Sequence, residues 1–139
     1  MAEQIRLEVV TPDRMLLSED VDIVVATGVE GEFGVLNNHI PFLTTLQEGE
    51  LRYRVGNTLN YMAVSSGFAE VLPDRVNILA ESAELAREID IDRAQKARER
   101  AEQRLAQAKR EDIDFIRTEA ALKRALVRLK VADRAKSGL

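Results

Sequence analysis

The chain has 139 residues, of which 45% are hydrophobic, with a formal net charge of −4, one histidine and no cysteine. This composition suits one ordinary domain or two small ones with a modest core, and it excludes disulfides, thiolate nucleophiles, zinc fingers and multi-histidine metal centres. Because the sequence contains neither a secretory signal pattern nor an apolar run of about 18 residues, we expect a cytoplasmic protein that is soluble when isolated.

Residues 1–84 are predicted to form an all-β domain of short strands. Runs rich in β-branched or aromatic residues alternate with turn sequences such as Thr11-Pro12-Asp13-Arg14 and Gly56-Asn57, and the second of these predicts a hairpin. Because no helical period separates the runs, an antiparallel β-sandwich or flattened barrel is favoured over an alternating parallel α/β sheet. The predicted strands are residues 5–10, 21–26, 51–55, 59–65 and 76–80.

Three features of this domain resemble parts of catalytic or ligand-binding motifs, and none of these motifs is complete. Gly31-Glu32-Phe33-Gly34 lacks the Lys-Ser or Lys-Thr pair of a phosphate loop, so we interpret it as a turn. His39 has no second histidine or cysteine with which to bind a metal. Ser65-Ser66-Gly67 lacks the spacing of a nucleophile elbow and is interpreted as a turn between strands. We therefore predict no catalytic residue and no metal site.

Residues 85–139 are predicted to form a second, helical domain, which makes the fold class α+β. The apolar residues here recur every three or four positions, as one face of a helix requires. Asp90 or Asp92 can cap the first helix, and the second helix is expected to begin near Asp112. The polar stretch between them permits two antiparallel helices or one nearly straight extension. The predicted helical faces comprise Ile91, Ala94, Ala97, Ala101, Leu105 and Ala108, then Phe115, Leu122, Leu126 and Leu129.

The two regions carry opposite charge. Residues 1–88 contain six Lys or Arg against fifteen Asp or Glu, whereas residues 89–139 contain fourteen against nine. We expect the basic tail to meet an acidic partner or an anion, although a merely solvated helix surface explains the same counts. Because the alanine-rich first helix buries little apolar area, we hypothesise that the helices can detach from the β-domain and adopt a second arrangement.

Arginines cluster on each predicted helix. At 100° per residue, Arg93, Arg100 and Arg104 fall within an arc of about 40° on the first helix. A second set on the other helix occupies a similar arc. A folded hairpin can bring both sets toward one anion such as a phosphate, whereas the alternative is pairing of each arginine with a nearby carboxylate. The second set is Arg117, Arg124 and Arg128.

Three motifs resemble the epsilon subunit family of F-type ATP synthases, and the resemblance extends along nearly the whole chain. They are Val9-Val10-Thr11-Pro12-Asp13, the segment from Gly31-Glu32-Phe33-Gly34 through Val35-Leu36-Asn37-Asn38-His39-Ile40-Pro41, and Val64-Ser65-Ser66-Gly67-Phe68-Ala69-Glu70-Val71. The resemblance implies a non-catalytic subunit with an N-terminal β-sandwich and two C-terminal helices. It also implies subunit-interface roles for Gly31, Val35, His39 and Pro41.

Family resemblance further implies a nucleotide site on the folded helices. The motif (Ile/Leu)-Asp-x-x-Arg-Ala, with which some bacterial members bind ATP, is matched by Ile89-Asp90-Ile91-Asp92-Arg93-Ala94. ATP is then a regulatory ligand, and no cofactor is required. The residues implied for this site are Glu84, Ile89, Asp90, Arg93, Ala94, Arg100, Arg124 and Arg128.

The partners implied by the resemblance are those of a rotor stalk. They are the gamma subunit and the proton-driven c-ring, with the alpha and beta catalytic subunits added when the helices extend to suppress ATP hydrolysis. Membrane association would be peripheral and indirect, at the cytoplasmic face of the bacterial inner membrane. A free-standing adaptor is the competing hypothesis. A nucleic-acid module is disfavoured because the basic tail offers one aromatic residue, Phe115, and no stacking platform.

Overall fold

A computed structural model of the protein describes residues 3–107 and 113–136, in which ten strands are followed by a 3₁₀ turn and two helices. The α+β class and the order of the two regions are confirmed. The strands are β1 (Ile5–Val10), β2 (Met15–Val21), β3 (Ile23–Gly28), β4 (Gly31–Val35), β5 (Phe42–Leu46), β6 (Gly49–Val55), β7 (Thr58–Val64), β8 (Gly67–Val71), β9 (Arg75–Ala80) and β10 (Ala83–Leu85). The 3₁₀ turn is Ala86–Glu88, and the helices are α1 (Ile91–Gln107) and α2 (Ile113–Lys136).

The strands form one continuous hydrogen-bonded path that folds into a β-sandwich. Its order is β10-β7-β6-β3-β5-β8-β9-β1-β2, with β4 paired to β3. The pairing is antiparallel throughout the described strands except between β1 and β9, which run parallel. The predicted antiparallel sandwich is therefore confirmed with one parallel pair added. Alternate residues point into the sandwich, so that Ile5, Leu7 and Val9 of β1 are fully buried.

Two glycines are required by the backbone of this domain. Gly56 has φ of +61° in the turn of the β6–β7 hairpin, which confirms the predicted hairpin at Gly56-Asn57. Gly67 lies so close to β9 that an added Cβ would stand 1.9 Å from the carbonyl oxygen of Leu79. The connection at Ser65-Ser66-Gly67 is confirmed, and the Ser65 hydroxyl accepts a hydrogen bond from the Ser82 amide at 2.9 Å.

The interpretation of Gly31-Glu32-Phe33-Gly34 as a turn was wrong. These residues lie in β4, which pairs with β3 in the register Ala26↔Phe33. The turn lies just before them, at Val29 and Glu30. The pattern was misleading because Gly31, with φ of +123°, ends the turn and also begins the strand. The sequence also failed to predict β2, β5 and β10 as strands.

The first helix begins where a cap residue was predicted. The Arg93 backbone N–H donates to Oδ1 of Asp90 at 3.0 Å, so Asp90 is the cap residue and Asp92 lies in the first turn. Ala94 and Ala101 are buried, as the predicted face requires. The predicted start of the second helix near Asp112, and Ala108 of the first helix, lie outside the described residues.

The predicted stripe of α2 is covered only in part, because Phe115, Leu122 and Leu129 are half-buried. Thr118, Ala125 and Ala132, spaced by seven residues, are buried, whereas Leu126 is 43% exposed. Leu126 follows Ala125 by 100° around the helix and is therefore turned toward solvent. The buried residues of α2 named here have small side chains, which let the two helices approach each other closely.

The helix α2 lies between α1 and the β-sandwich. It packs along α1 and also contacts β6 and β7. A small apolar cluster joins the two regions, in which Ile89, near the start of α1, meets Val131, near the end of α2. The helices are therefore antiparallel, which is one of the two arrangements that the sequence permits, and α2 attaches the hairpin to the β-domain. The buried members of the cluster are Tyr61, Ala63, Ile89, Val131 and Ala132.

Candidate functional site

The face of α2 that rests on the β-domain brings three arginines to three glutamates. Each arginine comes from the basic tail and each glutamate from the acidic β-domain, so that in this structure the protein's own β-domain provides acidic partners for the tail. The alternative of carboxylate pairing therefore holds for Arg124 and Arg128. The contacts are Arg124 Nη1 to Glu48 Oε1 at 3.9 Å, Arg128 Nε to Glu84 Oε1 at 2.7 Å, and Arg134 Nε to Glu50 Oε1 at 3.0 Å.

Glu50 is the most buried charged residue of this interface. Its side chain is only 4% exposed, and Arg52 Nη1 lies 3.4 Å from its second carboxylate oxygen. The guanidinium of Arg134 also lies over the ring of Tyr61, 5.4 Å from the ring centre. Because a buried carboxylate is costly without cationic partners, the Glu50 carboxylate favours the position of α2 that brings Arg134 to it.

Sequence reasoning missed Glu48, Glu50 and Arg134. Glu50 immediately precedes a predicted strand, and a glutamate in that position resembles a solvated surface carboxylate. The one available signal was the opposite charge of the two regions, which indicates attraction without identifying the pairs.

Burial and ion pairing shift two carboxyl groups near this interface in opposite directions. The hydrogen bond from Arg52, at 2.9 Å, holds the pKa of Glu32 below its usual value of 4.5. Burial raises the pKa of Glu48 above 4.5, because desolvation outweighs the attraction of Arg124. The ion pair with Glu32 raises the pKa of Arg52 in turn.

One group of the predicted nucleotide residues lies at the start of α1. Ile89 and Ala94 are buried, while Asp90, Arg93 and Arg100 line one open depression of about 750 Å³. Within residues 3–107 and 113–136, no carboxylate lies within 4.0 Å of the Arg93 or Arg100 guanidinium. These two cations are thus open to an external anion.

The other group lies across the α2 interface. Glu84, Arg124 and Arg128 line a small cavity of about 30 Å³ together with Glu48. The structure thus places the eight predicted residues in two separate groups, and the second group is occupied by ion pairs with the β-domain.

The four predicted interface residues lie in β4, at Gly31 and Val35, and in the loop that follows it, at His39 and Pro41. Gly31 and Pro41 are exposed, and His39 is half-buried, with its ring 5.3 Å from that of Phe42. Nδ1 of His39 lies 2.7 Å from the Ile40 carbonyl oxygen. Val35 is fully buried in the core of the sandwich, so its side chain supports this loop from below and is not exposed on its surface.

An exposed apolar row crosses the outer face of the β-domain, and the sequence analysis did not predict it. Phe68, Leu79 and Met15 are each at least half exposed, at 53%, 50% and 56%. The strand register aligns them with Val10, because Leu79 pairs with both Phe68 and Val10, and Val10 pairs with Met15. The one available sequence signal was the alternation of side chains between the two faces of β8, but alternation does not show which face of a strand is covered by other residues.

The described residues provide neither a metal site nor a membrane-spanning helix. Over residues 3–107 and 113–136, no group of three or more His, Asp or Glu side chains is arranged to hold a metal ion. Over the same ranges, neither helix combines the length and apolar character needed to cross a bilayer.

Both regions match known protein families. Residues 4–86 match the ATP synthase delta/epsilon chain β-sandwich domain, and residues 87–133 match the ATP synthase delta/epsilon chain long α-helix domain. An ATP synthase epsilon chain from Syntrophobacter fumaroxidans is 62% identical over 134 residues, which are 96% of this chain and 99% of that protein. An ATP synthase epsilon chain from Nitratidesulfovibrio vulgaris is 56% identical over 131 residues, which are 94% of this chain and 97% of that protein.

Solved structures show the same fold. A chain in the cryo-EM structure of the Euglena gracilis mitochondrial ATP synthase, containing OSCP, F1 and the c-ring, superposes with a TM-score of 0.78 at 28% identity, covering 99% of this chain and 83% of that chain. A chain of the Tetrahymena thermophila mitochondrial ATP synthase central stalk and c-ring gives 0.57 at 17% identity, covering 96% and 97%, and this likeness concerns the fold alone.

Proposed function

Because the chain belongs to the delta/epsilon family of ATP synthase chains, we propose that it is the epsilon subunit of a bacterial F-type ATP synthase whose C-terminal helices regulate ATP hydrolysis. It is a non-catalytic subunit of the central stalk. In the proposed role its β-domain couples the gamma subunit to the proton-driven c-ring, and α1 and α2 move between a compact and an extended state.

The observation that carries the regulatory part is the composition of the α2 interface. It combines a small apolar cluster with the Arg124, Arg128 and Arg134 ion pairs to the β-domain. Such an interface holds α2 in place without the large apolar burial of a permanent contact. The same arginines would be released on extension, and acidic surfaces of the alpha and beta catalytic subunits are the proposed alternative partners.

The proposal also includes a binding site for ATP on the two helices. It is supported by the guanidinium groups of Arg93 and Arg100 beside Asp90, which have no carboxylate partner among the described residues and can hold phosphate groups against the start of α1. Ile89 and Ala94 are buried and would contribute backbone or packing contacts. On the other helix, Arg128 must share or exchange its pairing with Glu84 to contact a phosphate. Arg124 would complete the phosphate contacts, and ATP would favour the compact state by mass action.

The subunit contacts are proposed from exposed apolar surface. The row containing Phe68 and Leu79 offers a partner protein a flat apolar strip, and Leu36 and Ile40 add exposed apolar side chains in the loop with His39. We assign these surfaces to gamma and the c-ring. The resulting location is peripheral, at the cytoplasmic face of the inner membrane, through the complex and not by insertion.

Calorimetric titration of the isolated chain with ATP, with and without magnesium, tests the nucleotide site. Saturable binding is expected, with a loss of at least about tenfold in affinity in Arg93→Ala, because a charge-assisted phosphate contact is removed. Arg98→Ala is the matched control, since Arg98 pairs with Glu102 at 2.6 Å on the same helix. Equal affinity in Arg93→Ala and Arg98→Ala would remove ATP from the proposal.

The stalk assignment is tested separately by co-purification. A tagged copy of the chain should recover gamma and c-ring subunits from solubilised membranes, and Phe68→Glu should reduce recovery because it places a charge in the apolar row. Ile116→Glu, at an exposed position of α2, is the control. Recovery of neither subunit by the unmodified chain would favour the adaptor hypothesis.

A further inference from the structure

The strand β7 extends past the end of its edge neighbour β10. Pairing between the two strands ends at Leu85↔Met62, after which the chain leaves the sheet through the 3₁₀ turn. Within the part of the chain that the structure describes, residues 58–61 of β7 therefore have β6 as their only strand neighbour. An unpaired strand edge can accept a further strand from another polypeptide.

The backbone of Leu59 presents hydrogen-bonding groups at this edge. Val55 pairs with Thr58 across the two-residue turn at Gly56-Asn57, and a closing pair of this kind is hydrogen-bonded. Because hydrogen-bonded and non-hydrogen-bonded pairs alternate along an antiparallel ladder, the N–H and C=O of Leu59 point away from β6. Outside the β6–β7 pair, no hydrogen bond joins either group to a described residue. One donor and one acceptor are thus available to an added strand.

A cavity of about 520 Å³ lies beside this edge. Tyr53 and Tyr61, both largely buried, give it aromatic surface, and two asparagines give it amide groups. The cavity therefore combines free backbone groups with apolar and polar side chains, which is a lining that suits an extended polypeptide. The elements that contribute to it are residues 58–61 of β7, Ala86 and Arg87 of the 3₁₀ turn, and Ala135 near the end of α2.

Arg87 is the one charged residue in the described lining of this cavity. Over residues 3–107 and 113–136, no carboxylate oxygen lies within 4.0 Å of its guanidinium. The neighbouring Glu88 pairs instead with Arg14, at 3.2 Å. Because the rest of the β-domain is acidic, this single uncompensated cation gives the cavity a preference for a ligand with a carboxylate.

We propose that this cavity binds an extended acidic segment of a partner protein by β-strand addition. The segment lies alongside residues 58–61, in line with β10, and exchanges backbone hydrogen bonds with Leu59. One of its carboxylate side chains pairs with Arg87. The backbone contacts supply affinity for an extended chain, and Arg87 supplies the preference for an acidic one.

The position of the cavity connects this interaction to the helices. Leu59 and Tyr61 belong to the β-domain, Arg87 to the connection, and Ala135 to α2. A bound segment contacts Ala135 only while α2 rests on the β-domain, so binding favours the compact state by mass action. This regulatory consequence rests on the proposed function, whereas binding of the segment does not.

The test is a ¹H–¹⁵N NMR titration of the full chain with the synthetic peptide acetyl-Thr-Val-Glu-Val-Thr-amide. Saturable shifts are expected at the Leu59 and Tyr61 amides. A peptide with lysine in place of glutamate should bind about threefold more weakly or worse, because it cannot pair with the exposed Arg87. Arg87→Gln should abolish this preference, whereas Arg75→Gln, which removes an exposed arginine at the start of β9, should retain it.

A proline variant tests the backbone contact. Leu59→Pro removes the N–H that faces the edge and leaves the β6–β7 ladder intact, so the chain should fold but bind the peptide at least about threefold more weakly. Leu59→Ala keeps that N–H and should retain binding. Circular dichroism confirms that each variant is folded.

The isolated chain is titrated, so the result is independent of the stalk assignment. Absence of saturable shifts at Leu59 in the millimolar range, or equal binding of the glutamate and lysine peptides, would overturn the proposal. Shifts produced equally by sodium acetate would show a small-anion site and overturn strand addition. Peptide binding should also raise hydrogen-exchange protection within residues 113–136. Unchanged protection at saturation would overturn the connection to the compact state.

Discussion

Nε of Arg134 lies 3.0 Å from Oε1 of Glu50, a carboxylate whose side chain is only 4% exposed. The pair connects the last turns of α2 to the middle of the acidic β-domain. Truncating one side chain of the pair leaves the other charge buried with one partner fewer. The resulting loss of stability is larger than the net stabilisation that the intact pair gives relative to an apolar contact. The contact is therefore sensitive to mutation even if its net stabilisation is small.

Substituting Arg134→Gln should loosen α2. Because Arg52 continues to neutralise Glu50, we expect a loss of about 1–3 kcal/mol in the free energy that opens the interface, below the full cost of an unpaired buried charge. Hydrogen exchange of peptides within residues 113–136 measures this directly. Arg98→Gln, which breaks an exposed pair on α1, should change protection by less than about 0.5 kcal/mol.

Gly67→Ala should destabilise the β-domain strongly. The new Cβ would meet the Leu79 carbonyl oxygen at 1.9 Å, and since that neighbour is backbone the strands must separate. We expect a loss of at least about 2 kcal/mol by urea unfolding. Gly34→Ala is the matched control, because its nearest neighbour is a Val25 side chain at 3.9 Å. Similar losses in both variants would show that general strand propensity, and not the close approach, governs Gly67.

The sequence predicted the fold class because local signals agree with the tertiary structure over long stretches. The hairpin at Gly56-Asn57 and the cap at Asp90 follow from turn and helix chemistry within a few residues. The strand β2 was missed because Ser18-Glu19-Asp20 interrupts its apolar pattern, and the parallel pairing of β1 with β9 depends on contacts that no local pattern encodes. Leu126 was assigned to the buried face because periodicity does not specify which arc of α2 is covered.

The candidate site was predictable only in part, for a related reason. Arginine spacing predicts which guanidinium groups share one face of a helix, but spacing along one helix does not reveal what lies opposite it. The Arg128 to Glu84 pair joins residues 44 positions apart. Identifying Glu50 as the partner of Arg134 likewise required the position of α2 on the sandwich.

Glu32 and Glu48 should contribute to the pH dependence of stability in opposite directions, because the pKa of Glu32 is lowered and that of Glu48 is raised. Arg52 lowers the pKa of Glu32 below 4.5, so Glu32 stabilises the fold above pH 4.5, and this contribution is lost as the pH falls through the lowered value. Burial raises the pKa of Glu48, so its contribution is present below pH 4.5 and is lost as the pH rises through the raised value.

Urea unfolding at pH 4 and pH 7 distinguishes the two groups. The quantity to compare is the free energy of unfolding of each variant minus that of the unmodified chain. For Glu32→Gln this difference should be more unfavourable at pH 7 than at pH 4. For Glu48→Gln it should become more favourable from pH 4 to pH 7. The weak contact of Arg124 to Glu48, at 3.9 Å, reduces the second effect without reversing it. Parallel pH profiles for the two variants would contradict the opposite assignments.

Replacing Asp90 should separate its role as a helix cap from its proposed contact with nucleotide. Asp90→Ala removes the acceptor for the Arg93 backbone N–H and should cost about 1 kcal/mol, measured as lower hydrogen-exchange protection in the first turns of α1. Asp90→Asn keeps a capping oxygen but removes the charge, so α1 should stay protected. If Asp90 also contacts the adenine or ribose as an ionised acceptor, ATP affinity should fall in both variants. A fall in Asp90→Ala alone would instead show that Asp90 affects nucleotide binding only by positioning Arg93 through the helix start.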